Sequence, residues 1–423
     1  MLDVVFGFLG LAVLLGIAVI FSSDRRAIDW KLVGIGLGLQ ILFAMFVLLT
    51  PWGAAVFGAL SKGFVALLSF TQQGAQFIFG DLARTESFGF VFAFQVLPTI
   101  IFFASFMAVL YHLGVMQRVV QAMAWVITRL MRVSGAETLS VCANAFIGQT
   151  EAPLVVKPYV AAMTRSELLT LMVGGMATIA GGVLAAYVQM LGGSDPEAQQ
   201  FFAKHLITAS IMAAPAALVI AKVLMPETQE PATLGTVKIE VEQTTANVID
   251  AAATGAADGL RLALNVGAML LAFIALIALV DAPIAWVGEV TGLNAVIGRD
   301  LSLATLLGYL LAPIAWVIGV PWSDAITVGG LIGTKVVLNE FVAYVALAEV
   351  EAALAPKSVL IATYALCGFA NFSSIAIQIG GIGGIAPERR SDLARFGLRA
   401  VLGGSLATFM TATIAGVLTG LAP

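Results

Sequence analysis

A bilayer's hydrocarbon core is crossed by a helix of roughly 20 mostly apolar residues. This chain repeats runs of that length from end to end. They lie at about 2–22, 31–50, 92–115, 167–191, 202–225, 259–280, 357–380 and 397–420. Inside lipid the backbone must satisfy its own polar groups, so such runs fold as helices. Two further apolar stretches, 135–162 and 322–350, are interrupted near their middles by charged and amide residues and do not count as simple spans. Segments 53–80, 116–133 and 301–318 are weakly amphipathic and are expected in the interface. The fold class is therefore an all-α integral membrane protein with eight transmembrane helices.

Composition agrees with this class and excludes others. Hydrophobic residues make up 60% of the chain and charged residues 11%, with a mean hydropathy of +1.01. A soluble domain has roughly 45–50% apolar and about 25% charged residues. The 25 acidic and 21 basic residues leave no electrostatic footprint for nucleic acid. Cys142 and Cys367 sit in apolar sequence without a CxxC or a Cys/His cluster, and read as small packing residues. No nucleophile–base pair and no GxxxxGK[ST] occurs, which argues against an enzyme and against a pump driven by its own ATP hydrolysis. The GGIGG at 380–384 is read as packing or a turn. The first run has no basic leader and is too long for a signal peptide, so it is expected to be a retained span.

Basic residues orient the spans. Arg25, Arg26 and Lys31 follow the first; Arg129, Arg132 and Arg165 lie between the third and fourth; Lys222 and Lys238 flank the loop after the fifth; Arg389, Arg390 and Arg395 follow the seventh. The opposite loops are poor in Lys and Arg, and Gly192–Gln200 is acidic. Eight spans with both termini outside satisfy these positions, and they put the polar loop 226–247 in the cytoplasm.

An internal repeat points to the site. NAFIGQTEAPLVVKPY precedes the helix LMVGGMATIAGGVLAAYVQMLGG, and GLIGTKVVLNEFVAYVAL precedes YALCGFANFSSIAIQIGGIGG. Each half has a hairpin-length segment with a central Glu, then a Gly-rich helix with a polar centre. The first hairpin opens from the cytoplasmic side and the second from outside, so the repeats are inverted, as in secondary transporters that bind solute near the midplane. Gly148 is expected to end the first arm of the first hairpin. Pro153 suits the first turn of its second arm. Gly181–Gly182 and Asn371–Ser374 weaken the paired helices at mid-span.

The motifs GQTEAPLVVKPY, NEFVAY and CGFANFSSIAI closely resemble the concentrative nucleoside transporters. LGLAVLLGIAVIFSSDRRAI and NVIDAAATGAADGLRLALNVGAMLLAFI fit the bacterial members, and the resemblance covers essentially the whole chain. It implies a homotrimer of eight-span protomers with two re-entrant helical hairpins and inverted repeats, in a bacterial cytoplasmic (inner) membrane. A central scaffold would hold the trimer while an outer transport domain moves as an elevator, importing a nucleoside together with sodium, or with protons in some members. On this reading residues 1–90 are scaffold and interfacial helices, and 91–134 hold the third span and another interfacial helix. Residues 135–191 are the first hairpin and broken helix. Residues 192–300 mix scaffold and transport-domain helices, 301–384 hold the second hairpin and broken helix, and 385–423 form the last span.

Glu151 and Glu340 stand out from the residues alone. An ionisable group at membrane depth costs at least about 2.5 kcal/mol and marks function by default; the plainer alternative is a hairpin tip in the headgroup layer. A carboxylate also accepts well from two ribose hydroxyls, through charge-assisted bonds. The resemblance implies that Glu340, Asn371 and Ser374 hold the ribose, that Gln149, Thr150 and Glu151 read the base, and that Val183, Leu262 and Phe369 pack against it. It likewise implies a sodium site from the side chains of Asn144 and Thr178 and the carbonyls of Ile147 and Ile179, with Thr where other members can have Ser. Taken alone, Leu262 and Phe369 fit ordinary packing, and Asn144 and Thr178 fit polar contacts between helices. Lys157 is read as snorkelling to the interface, and Arg261 as the partner of Asp258. His112 and His205 show no metal spacing. Proton coupling and an uncoupled channel or facilitator remain open. No organic cofactor is expected.

Overall fold

The computed structural model describes residues 2–235 and 245–420. Lys238 and the rest of 236–244, within the loop read as cytoplasmic, lie outside the described residues. The chain begins with α1 (Leu2–Ile20), α2 (Trp30–Leu49) and α3 (Pro51–Phe79). Asp29 starts α2 by accepting from the backbone N–H groups of Lys31 and Leu32. Thr50 caps α3 the same way, and Pro51 sits where a proline costs the helix no hydrogen bond. Short helices α4 (Thr85–Phe88) and α5 (Phe92–Gln95) lead to α6 (Leu97–His112) and α7 (Val115–Met131). The buried residues of α7 are Met116, Val120, Ala124, Ile127 and Met131, the single apolar stripe expected of the 116–133 segment.

Next come α8 (Gly135–Asn144), α9 (Lys157–Val160), α10 (Arg165–Ala177), α11 (Gly181–Gly192) and α12 (Pro196–Leu224). The 44-residue α13 (Val248–Thr291) and the short α14 (Leu293–Ile297) follow. The remainder is α15 (Leu303–Val317), α16 (Trp322–Val337), α17 (Glu340–Val350), α18 (Pro356–Leu366), α19 (Phe372–Ile385) and α20 (Arg390–Thr419). Apart from one isolated bridge between Ser134 and Leu234, the described residues contain no β structure.

By length and composition, 8 helical stretches among the described residues suffice to cross a membrane. The number agrees with the sequence reading, but the membership differs. Segment 53–80, expected in the interface, belongs to the long apolar stretch Pro51–Ala83. Segment 357–380, expected as one span with a weakened middle, is divided into α18 and α19 by the non-helical residues 367–371. The expected span 259–280 is only the middle of α13, which at 1.5 Å per residue is about 66 Å long, twice the hydrocarbon thickness. Helix α15 is strongly apolar, and the chain turns by 116° between it and α16.

Burial sorts the helices into two groups. The most apolar stretches of α10–α11, α12 and α20 are 83%, 89% and 89% buried, whereas those of α3 and α13 are 22% and 17%. The second group presents apolar side chains outward, as a lipid-facing or subunit-facing surface does. Helix α13 lies against α6 because Gly255 and Gly259 let the backbones touch: a Cβ on Gly259 would stand 2.8 Å from the Ala104 Cβ and the Ile101 Cα. The inner group is closed by α20, where a Cβ on Gly404 would reach within 2.7 Å of the Met176 Cβ. Both helix breaks lie inside this inner group.

Candidate functional site

The first break is Thr178–Ala180. Helix α10 stops at Ala177, Thr178 is extended (φ −125°, ψ 170°), and α11 restarts at Gly181. Gly181 and Gly182 thus open the second half instead of interrupting a helix. The second break, 367–371, ends where the Asn371 side-chain oxygen accepts from the Ser374 backbone N–H at 2.8 Å and caps α19. The two breaks touch. The Phe369 N–H donates to the Thr178 carbonyl at 3.3 Å, and a Cβ on Gly368 would lie 2.7 Å from the Met176 carbonyl oxygen. Only glycine allows this crossing.

The second hairpin delivers its carboxylate to the crossing. Asn339 caps α17 by accepting from the Val342 N–H at 2.9 Å, which makes Glu340 the first helical residue. Glu340 is buried, 4% exposed, at a helix end whose partial positive charge favours an anion. Its two oxygens accept from the Asn371 Nδ2 at 2.9 Å and the Tyr187 hydroxyl at 3.2 Å. Asn371 therefore caps one half-helix with its oxygen and holds Glu340 with its nitrogen. Tyr187 is fixed by ring contacts to Phe341 and Tyr344, at 4.9 and 4.2 Å between centroids.

The first hairpin meets the same cluster from the other side. Its first arm, α8, stops at Asn144 and not at Gly148; residues 145–151 form the turn, and Pro153 opens a 3-10 segment, Ala152–Val156, as its ring geometry favours. Gln149 is buried; its Nε2 donates to the Ser374 Oγ at 3.1 Å, and its Oε1 accepts from the Gln378 Nε2 at 3.1 Å. Gln378 also donates to the Met172 carbonyl at 3.0 Å. A polar chain thus runs from Glu340 through Asn371 and Ser374 to Gln149 and Gln378. Val183 and Phe369 are buried beside the breaks, and Thr150 packs on Gly381. Two expected residues are not brought in. Glu151 is exposed, folded back over Gly148, and Leu262 is 38% exposed on α13.

The oxygens assigned to sodium have the right character. The Asn144 Oδ1 is buried without a partner among the described residues. Thr178 is fully buried; its hydroxyl donates to the Gly174 carbonyl at 3.0 Å, leaving its lone pairs free to accept. No backbone N–H among the described residues donates to the Ile147 or Ile179 carbonyl. Neutral oxygens with lone pairs to spare are the kind of donor that a small hard cation takes.

Several residues of this region lie outside the sequence reading. Tyr187 and Gln378 bond into the cluster, and the buried Asn339 Nδ2 and Gln378 Oε1 have no partner among the described residues. Lys335 is wholly buried five residues before Glu340. An amide or ammonium within an apolar run was the available signal; Gln378 also lies two turns from Asn371 on one helix face. A buried ion cluster joins Lys222 to Glu137 at 2.8 Å and Glu227 at 3.2 Å. It borders a cleft of about 460 Å³ that includes none of the break residues. The expected Arg261–Asp258 pair forms at 3.7 Å. Lys157 is exposed.

Three family descriptions match the chain in order. Residues 9–82 match "Na+ dependent nucleoside transporter N-terminus", 93–194 match "Nucleoside recognition", and 205–416 match "Na+ dependent nucleoside transporter C-terminus". The nucleoside permease NupC of Helicobacter pylori is 40% identical over 98% of this chain and 98% of its own. This chain belongs to the Na+-dependent nucleoside transporter family. Mouse sodium/nucleoside cotransporter 1 is 39% identical over 97% of this family member, which covers 63% of that longer protein. Among solved structures, CNTnw in an inward-facing substrate-bound state matches with TM-score 0.88 and 45% identity over 99% of this chain and 98% of its own. An outward-facing double variant of CNTnw matches with TM-score 0.91 and 44% identity, over 100% and 99%. The family is one of transporters, and this multi-pass nucleoside transporter is no enzyme.

Proposed function

We propose that this protein imports nucleosides, uridine among them, by symport with sodium across the bacterial inner membrane. The observation that carries the reading is the Glu340 carboxylate, buried where two broken helices cross and held by an amide and a phenol that a pair of ribose hydroxyls can join or replace. Glu340, Asn371 and Ser374 take the ribose. Gln149 and Thr150 read the base with Glu151, and Val183, Phe369 and Leu262 pack against it. Glu151 and Leu262, exposed and outside the cluster, close on the solute as it binds.

Sodium binds the Asn144 and Thr178 side chains and the Ile147 and Ile179 carbonyls. Those ligands join the tip of the first hairpin to the break in α10–α11, so the ion orders Gln149 and with it the base subsite. A ligand shifts an equilibrium only by its preference for one state, and this shared ordering supplies it. The hairpins and the broken helices α10–α11 and α18–α19, packed on α12 and α20, form the body that moves, elevator-fashion, against a scaffold containing α6 and α13. The outward apolar faces of that scaffold suit a homotrimer, and both termini lie outside.

Binding of uridine and of 2′,3′-dideoxyuridine to the purified protein, each with and without sodium, tests the site. Uridine should bind at least tenfold more tightly, and only well in sodium. Equal affinities for the two would remove the ribose from Glu340.

A further inference from the structure

We propose that the Lys335 ammonium is a cation built into the chain, filling in the second half of the protein the place that sodium takes in the first. The inference rests on the sodium-coupled reading above and concerns residues to which that reading gives no role.

Lys335 lies in the last turn of α16 and is 0% exposed. Its Nζ donates to the Ala365 carbonyl in the last turn of α18 at 2.8 Å and to the Thr408 hydroxyl of α20 at 3.2 Å. The Phe409 ring lies 6.0 Å away, close enough for cation–π attraction. Among the described residues it forms no ion pair. Glu340, five residues on, stands beyond ion-pair distance. A buried ammonium without a close carboxylate is costly, so packing alone is a poor reason for one.

What surrounds it is what a bound metal cation would want: a carbonyl, a hydroxyl and the negative ends of two helices, α16 and α18. The first half has the same meeting of parts. There the last residue of α8, Asn144, lies against Gly175 in the last turn of α10, which ends at Ala177, and the Asn144 oxygen is left unpaired among the described residues. In each half the end of a hairpin arm meets the end of a broken helix. One meeting point is open to an ion, and the other holds a charge on a side chain. The second hairpin, with Glu340, is therefore locked in register whether or not sodium is present. Only the first hairpin is gated by the ion, and coupling runs through one sodium per nucleoside.

Charge movement per uridine in voltage-clamped proteoliposomes tests this without any mutation. One charge per uridine is expected, and two would overturn the proposal. Uptake that needs no sodium at all would instead defeat the coupling reading, so the two failures are distinguishable. Two variants give a sharper contrast, read as uridine affinity across a sodium series on protein that elutes as the wild type does. Lys335→Ala leaves room for an ion. It should lose at least tenfold in affinity at low sodium, recover at high sodium, and show a Hill coefficient rising from one towards two. Lys335→Met fills the space without charge, so its loss should persist at every sodium concentration. Wild-type binding in either variant, or identical sodium curves in both, would contradict a cation-replacing role.

Discussion

The Asn371 amide nitrogen donates to the Glu340 carboxylate at 2.9 Å, across 31 residues of chain, while the oxygen of the same amide caps α19. One side chain thus ties the tip of the second hairpin to the start of a half-helix. Whatever Glu340 binds is felt directly at the break.

Glu340→Gln keeps the shape and removes the charge. Hydrogen bonds to a charged group contribute about 1.5–3 kcal/mol, so the dissociation constant for uridine should rise about 10- to 150-fold. Tyr187→Phe removes one neutral donor and should cost a smaller factor. Calorimetric titration of both variants checks the order, and a Glu340→Gln protein with wild-type affinity would take Glu340 out of the site.

Thr178→Ala deletes one expected sodium ligand and no nucleoside contact. The sodium concentration for half-maximal uptake should rise by about three- to tenfold, in line with roughly 1 kcal/mol for one polar contact. Thr178→Ser should stay near wild type. The maximal rate at saturating sodium should change little in either, and an unshifted sodium dependence in Thr178→Ala would count against the ligand set.

Gln378→Leu strips Gln149 and the Met172 carbonyl of their shared donor. Leaving buried acceptors unsatisfied costs about 1–3 kcal/mol. Affinity for all nucleosides should drop, and the preference among bases should shift because Gln149 loses its anchor. Discrimination between uridine and 2′-deoxyuridine, which belongs to the ribose side, should hold. A competition panel separates the two effects.

Lys222→Met probes stability. It strands Glu137, which is fully buried and pairs with Lys222 at 2.8 Å. Removing one partner of a buried pair typically costs about 3–5 kcal/mol. The melting temperature in detergent should fall well below wild type, and adding Glu137→Leu should recover part of the loss.

Much of this was legible in sequence. Apolar run length marked most of the spans, and the interruption read in 322–350 falls at the junction of α16 and α17. Asn371 and Ser374 read as helix weakeners and prove to be a capping pair at a break. Other features depend on contacts that no local pattern carries. The third helix is apolar enough to span, but its polar Ser, Thr and Gln residues dilute the run in 53–80. The 357–380 segment is uninterrupted by charge and reads as one span with a middle weakened at Asn371–Ser374; where the helix stops, at 367–371, is set by Gly368 crossing the Met176 carbonyl. Glu151 and Glu340 look equivalent in the repeat. Only one is buried, because the first hairpin turns at 145–151 and its second arm begins as a 3-10 segment, whereas α17 starts on its glutamate. Tyr187 and Gln378 lie on apolar helices, and their partners lie 153 and 229 residues away.

Sodium-driven accumulation is the most direct measurement of the central claim. Proteoliposomes containing the purified protein, loaded with potassium buffer, would be diluted into sodium or choline buffer at equal pH and given radiolabelled uridine. The expected result is uptake above the external concentration in sodium, collapse on addition of a sodium ionophore, and no accumulation in choline. Equal uptake in sodium and choline, stopping at the external concentration, would contradict sodium-coupled nucleoside transport by this chain.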